Sequence, residues 1–210
     1  MKRVYNYIKT HIVKFLYTFG YANTIKGLSI CYRISSLEIY GTGNFIEVHS
    51  SLPKDVKITV YGNDHHLYVD KGVTFKKGCL WFEDKKCEIR ISTGTTIGEA
   101  HLAVAENGTK LILGEDCMLS SNIRMATTDS HSIIDSTTGK RTNPAADIII
   151  EPHVWIGYGA SVNKGVTIGH NSVIAGHSVV TNSVFPNNCV IAGIPAKVVK
   201  ENIDWNRFRI

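Results

Sequence analysis

A solenoid of short parallel β-strands is the fold class this sequence predicts, and three observations carry the prediction. An aliphatic residue returns at every sixth position through Ile150, Ile156, Val162, Ile168, Ile174 and Val180. A second series, two positions earlier, runs through Ile148, Val154, Ala160, Val166, Ser172 and Ser178. The residue after each aliphatic of the first series tends to be small or polar, as in Ile156-Gly157, Ile168-Gly169 and Ile174-Ala175. A helix of 3.6 residues per turn cannot keep a period of six, and plain strand alternation does not explain it. Something turns the chain every six residues, so one inward aliphatic per flat face and a permissive residue at each corner give stacked coils with a continuous core. Three such faces make a triangular coil of roughly eighteen residues, the hexapeptide parallel β-helix class.

The elements follow in chain order. Val4, Ile8, Ile12, Phe15, Leu16 and Phe19 recur at helical spacing, with Lys2, Lys9 and Lys14 between them and Gly20 as a stop, so the chain is expected to open with an amphipathic helix. That helix either packs on its own domain or on a neighbouring subunit, or makes reversible peripheral contact with an anionic membrane surface through residues 1–22. Residues 1–37 hold this helix and a linker, and residues 38–192 the β-helix. The period persists upstream in weaker form at Leu113, Leu119 and Met125 and at Val69, Phe75, Trp81 and Cys87, with a slip of phase between Cys87 and Ile97. Residues 126–147 interrupt the hexads with a polar stretch containing Gly139 and Pro144, which must leave the coil as a protruding loop. Residues 193–210 are expected as a turn and a short helix.

Composition excludes several classes. With 43% hydrophobic and 20% charged residues in 210, the chain can bury a core. The five cysteines, Cys31, Cys79, Cys87, Cys117 and Cys189, form no C-x-x-C pair, which argues against a disulfide framework and a thiolate zinc site and favours a reducing cytoplasm. The net charge of +5 is local, because residues 1–37 carry six Lys and Arg and no acidic residue. The rest is nearly neutral, unlike a nucleic-acid binder with a basic stripe on its main domain.

Chemistry is expected where the repeat is broken. The protruding loop contains His131, suited to proton transfer near neutral pH, with Asp129 and Asp135 as orienting carboxylates. Three further histidines, His153, His170 and His177, are available to a metal reading of the carbonic-anhydrase type, but they sit at hexad positions without a ligand pattern.

The loop reads Thr128-Asp129-Ser130-His131-Ser132-Ile133 and is followed by Val154-Trp155-Ile156-Gly157, by the hexad stretch from Val173 to Thr181, and by a Gly193-Ile194-Pro195-Ala196-Lys197 turn. In order and spacing these motifs resemble the hexapeptide-repeat acyltransferases. Cys117-Met118-Leu119, the placing of Trp155 24 positions after His131, and Lys200-Glu201-Asn202-Ile203 before Trp205 look most like the capsular and polysialic-acid O-acetyltransferases. The resemblance runs from about residue 94 onward.

It implies a homotrimer of left-handed parallel β-helices with acetyl-CoA between adjacent subunits, no metal, and transfer of an acetyl group to a sugar hydroxyl of a surface polysaccharide or its precursor. N-acetylation of an amino sugar is the alternative within the same family. His131 matches the catalytic base. Trp155 matches a tryptophan near the acetyl group and acceptor, its alternative being a cover for a coil corner. Gly157, Tyr158, Ala175 and Gly176 match positions along the pantetheine arm, where small residues allow close approach and amides face the thioester oxygen. Lys197 and Lys200 match cations for the phosphates of CoA. Thr181 is followed by Asn182 where sugar acetyltransferases often carry Lys, so the missing phosphate contact falls to Lys164 or a neighbouring subunit. Asp129 fixes the imidazole or caps the loop, and His101 lies about where acceptor-binding residues fall in relatives. Such an enzyme would work in the cytoplasm, at the inner face of the membrane where surface glycans are assembled.

Overall fold

A computed structural model describes residues 22–29, 32 and 36–210, so the expected N-terminal helix and Cys31 lie outside the described residues. The chain winds as a parallel solenoid with three faces. One face is an eight-stranded sheet, from Thr24–Lys26 through Phe45–Val48, His66–Val69, Glu88–Ile91, Lys110–Leu113, Ile148–Ile150 and Thr167–Ile168 to Val184–Phe185. A second face stacks Met118–Leu119, Trp155–Ile156, Val173–Ile174 and Val190–Gly193. The third stacks Leu37–Tyr40, Val56–Tyr61, Ile123–Ala126, Ser161–Asn163 and Val179–Val180. Two nine-residue strands, Thr74–Phe82 and Thr96–Val104, run continuously round the corner between the second and third faces and join them into one sheet.

The coils are longer before the loop, 21 or 22 residues, than after it, 17 or 18. From the loop onward Trp155 pairs with Val173, eighteen residues on, as the hexad spacing expects. Upstream, Ile89 pairs with Leu111 and Leu80 with Leu102, each 22 residues on. The longer coil carries extra corner residues in left-handed conformation, including Asp64, Asp84, Lys86 and Glu106, and these account for the slip of phase after Cys87. They also turn Trp81 outward: its neighbours Leu80 and Phe82 are fully buried while Trp81 is only half-buried. The first described strand, Thr24–Lys26, pairs with Phe45–Val48, so the solenoid begins inside the segment assigned to helix and linker.

The interior is a single column of inward aliphatic and aromatic side chains running from Leu37 to Ile191. Burying them supplies about 25 cal/mol per Å² of apolar surface. One corner carries a buried polar thread that satisfies coil backbones: His65 Nδ1 faces the Cys87 amide at 3.2 Å, and Thr109 and Thr127 share a 3.0 Å hydroxyl contact.

The expected short helix within 193–210 does not form. Ala196–Lys200 is a strand, antiparallel to Val190–Gly193, and the residues after it are irregular. Val198 and Val199 favour a pleated surface, and the last coil would otherwise leave a ladder edge open. Among the described residues no helix is long and apolar enough to cross a membrane.

Candidate functional site

The loop leaves the third face after Ala126 and returns at Ile148. Thr127 closes its base: its amide donates to the Ala103 carbonyl at 3.2 Å and its carbonyl accepts from the Ala146 amide at 3.0 Å. At the tip, Ile134 and Arg141 form an antiparallel bridge around a turn capped by Asp135, which accepts from the amides of Thr137 and Thr138 at 2.8 Å each. Asp135 therefore shapes the turn.

Asn143 is the hub of the loop and is 8% exposed. Its Nδ2 donates to Asp129 Oδ2 at 2.7 Å and to the His131 carbonyl at 2.8 Å. Its Oδ1 accepts from the Ile133 amide at 2.6 Å and from Arg141 Nε at 3.2 Å. All four hydrogen-bonding positions of the amide are used. The result is that the backbone on both sides of Ser132 is pinned, while the His131 side chain is exposed and its imidazole has no hydrogen bond among the described residues.

Asp129 does not hold the imidazole. Its Oδ2 accepts from Lys164 Nζ at 2.6 Å as well as from Asn143, and these two hydrogen bonds hold its carboxyl below the usual range. Lys164 also donates to the Asn143 carbonyl at 2.8 Å, so two of its three donors serve the loop.

Glu106 takes a bidentate pair of bonds from Arg141, at 2.6 and 2.7 Å, and a third from the Thr128 hydroxyl at 2.6 Å. The Arg141 hydrogen bonds lower its carboxyl to about 2. A carboxylate depressed by folding adds stability above its unfolded pKa and loses it as pH falls through the folded one. The protection factors of the Ile133 and Ala145 amides, taken against the intrinsic exchange rate at each pH, are therefore expected to stay high at neutral pH and to fall between about pH 4 and pH 2. In Glu106→Gln they are expected to be low throughout; protection lost already at pH 6 in the parent protein would contradict this.

The second group of expected residues sits at another corner. Trp155 points outward from the second face, 38% exposed, in a column with Met118 and Val173. The coil turns at Gly157-Tyr158-Gly159, stacked on the turn at Ala175-Gly176-His177. A Cβ on Gly157 would lie 2.6 Å from the Gly176 nitrogen and 2.9 Å from the Ile174 carbonyl oxygen, so only glycine lets these coils approach. The amides of Gly157 and Ala175 are committed to the Ile174 and Ile191 carbonyls. Tyr158 is 53% exposed, its ring edge-on to His177 at 5.4 Å.

Ala192 continues this edge one coil further, paired with Lys197. Lys197 and Lys200 are exposed on the closing strand, at the end of the glycine-lined edge. Thr181 is exposed but lies one face away, at the corner that carries the loop. His101 is exposed on the third face beside Cys79 and Arg124, lining a cleft of about 300 Å³; burial and then Arg124 lower its pKa.

The remaining histidines go to separate partners: His153 to Asp116 and Trp205, His170 to Glu151, His177 to Tyr158. Among the described residues no three His, Cys, Asp or Glu side chains gather as a metal site. The loop anchors Glu106, Arg141 and Asn143 and the tail residue Arg207 carry no local motif, because they join partners as far as 113 residues away.

A parallel solenoid of hexads with a loop-borne free histidine and a glycine-lined edge defines the class of hexapeptide-repeat acyltransferases. Residues 147–182 match the bacterial transferase hexapeptide (six repeats) family. The chain is 35% identical over 189 residues to a polysialic acid O-acetyltransferase of Neisseria meningitidis, covering 80% of this chain and 87% of that one. Two solved structures are similar over nearly the whole chain. The polySia-specific acetyltransferase NeuO superposes with a TM-score of 0.73 at 31% identity, over 89% of this chain and 84% of that one. The polysialic acid O-acetyltransferase OatWY gives 0.72 at 30% identity, over 90% and 89%. The chain belongs to the hexapeptide-repeat transferases, in the O-acetyltransferase branch that these three proteins represent.

Proposed function

We propose that the protein transfers the acetyl group of acetyl-CoA to a hydroxyl of a sialic-acid polymer of the capsular type, as a homotrimer with each active site between two subunits. The observation that carries this is the placing of the two halves of the site. His131 leaves one corner of the coil and the Gly157–Gly176 edge forms another, with the third face between them. One copy thus holds its base a face away from its donor edge, and a neighbour related by threefold symmetry brings a loop to each edge.

In that arrangement His131 accepts the proton of the sugar hydroxyl as its oxygen bonds to the thioester carbonyl carbon, and the thiolate of CoA leaves with the proton. A positioned base is worth about 10²–10⁴-fold. With the Gly157 and Ala175 amides occupied by the ladder, the donor to the thioester oxygen falls to the amide of Tyr158 or Gly176. Trp155 walls the reacting groups, Lys197 and Lys200 face the phosphates of CoA, and His101 stands on the acceptor side.

The test is release of CoA from acetyl-CoA by the purified protein with polysialic acid, other capsular glycans, free sialic acid and free amino sugars. O-acetyl groups are expected on the polysialic acid. Turnover confined to amino sugars, with the acetyl group on nitrogen, would overturn the reading.

A further inference from the structure

After Lys200 the chain forms no further strand, yet it does not drift into solvent. Trp205 is 9% exposed, whereas Phe208, three residues later, is 80% exposed. The Trp205 ring stacks on His153 with centroids 4.1 Å apart and planes 9° apart, and its Nε1 donates to the His153 carbonyl at 2.8 Å. His153 in turn sets its Nδ1 2.7 Å from Asp116 Oδ2 and its Nε2 3.0 Å from the Trp205 carbonyl oxygen.

Arg207 closes the clasp. Its Nε donates to Asp116 Oδ1 at 2.9 Å and its Nη1 to Thr96 Oγ1 at 2.8 Å, while Nη2 reaches the carbonyls of Gly94, Asp116 and Cys117 at 3.1 to 3.3 Å. Thr96, Met118 and Trp155 form one outward column across three coils. The tail therefore holds this column at two points, through Arg207 on Thr96 and through Trp205, whose ring lies 6.1 Å from that of Trp155 at 47°.

We propose that the C-terminal tail is a positioning element of the acetyl-transfer site, in which Trp205 and Arg207 fix the orientation of Trp155 through the His153 corner. The proposal rests on the reading of Trp155 as a wall of that site. A purely structural role fits poorly, because Trp205, although buried, packs outside the core cluster that holds the coils together. Trp155, by contrast, stands on a two-residue strand with its outer surface open, flanked in its column by Met118 and Val173, and the Trp205 ring is its aromatic neighbour from the tail.

The test uses the full chain. Trp205→Ala and Arg207→Gln are each expected to lower kcat about tenfold, with the KM for acetyl-CoA within twofold and the thermal midpoint nearly unchanged in Arg207→Gln. Trp205→Phe, which keeps a stacking ring, is expected to recover most of the rate, and Phe208→Ala to behave as the parent. A readout independent of activity follows Trp155 as the sole emitter in Trp81→Phe/Trp205→Phe protein. Adding Arg207→Gln there is expected to lower its fluorescence anisotropy. Unchanged anisotropy overturns the positioning role, as does a kcat loss that merely tracks the unfolded fraction. A parent protein that acetylates none of the acceptors while its Trp155 signal responds to Arg207→Gln overturns the functional reading and leaves the positioning role intact.

Discussion

His131→Ala is expected to lower kcat with polysialic acid by about 10³-fold while the protein remains folded and assembled. The two halves of this expectation have separate physical grounds. The imidazole is exposed and makes no hydrogen bond among the described residues, so its removal breaks nothing that holds the loop or the coil. Substitutions at such positions usually change stability by less than about 0.5 kcal/mol. The backbone at the same residue is held by Asn143, so the loop that presents the side chain keeps its shape when the side chain is gone.

A hydroxyl without a base must attack while still carrying its proton, and that cost appears in kcat. Binding of acetyl-CoA, which the proposed function assigns to the glycine-lined edge and the lysines of the closing strand, is expected to stay within about twofold. Steady-state rates, acetyl-CoA binding by calorimetry and the sedimentation coefficient of the variant check the three parts. Near-parental turnover would remove His131 from the reaction, and a monomeric or unfolded variant would show that the loop is structural.

How much of this was visible in the sequence depends on the range over which each interaction acts. The coil from Ile148 to Val180 was legible because its inward positions repeat every six residues, and the pairing of Trp155 with Val173 follows that count. Upstream the count fails, since corners carrying Asp84, Lys86 and Glu106 in left-handed conformation lengthen the coils to 21 or 22 residues, and non-glycine residues at such φ leave no mark in the sequence. The closing strand was illegible for another reason. Lys197-Val198-Val199-Lys200 has no helical or strand pattern long enough to decide, and its conformation is set by the edge it covers.

The site divides in the same way. His131, Trp155 and Gly157 stand in local motifs, so the sequence alone offers them as candidates. The residues placed to hold them, Asn143 and Glu106 on the loop and Trp205 and Arg207 on the tail, reach partners up to 113 residues away in the chain. For Lys164 and Asp129 the sequence supplied the residues but not the pairing. Lys164 is offered to a phosphate and Asp129 to the histidine or to capping the loop; they bind each other at 2.6 Å, which fits the capping role.

Asn143→Ala is expected to cost nearly as much rate as a catalytic substitution, although the side chain touches no reacting group. Removing the amide leaves the Ile133 amide, the His131 carbonyl and Arg141 Nε each without a partner, and leaves Asp129 to Lys164 alone. The loop then has no fixed relation between His131 and its base at Thr127. A displacement of about 1 Å at the reacting atoms is worth about 10²-fold in rate, and that is the fall expected in kcat. The thermal midpoint should move little, because the side-chain partners of Asn143 all lie within the protruding loop and none in the coils. Asn143→Asp is expected to be worse than Asn143→Ala, since it sets a second carboxylate against Asp129 where the two side chains now meet at 2.7 Å. The decisive comparison is the double variant His131→Ala/Asn143→Ala. If Asn143 acts by aiming His131, the double variant is no slower than His131→Ala alone, because there is no imidazole left to misplace. A further 10²-fold loss in the double variant would mean that Asn143 serves the reaction by a route that does not pass through His131.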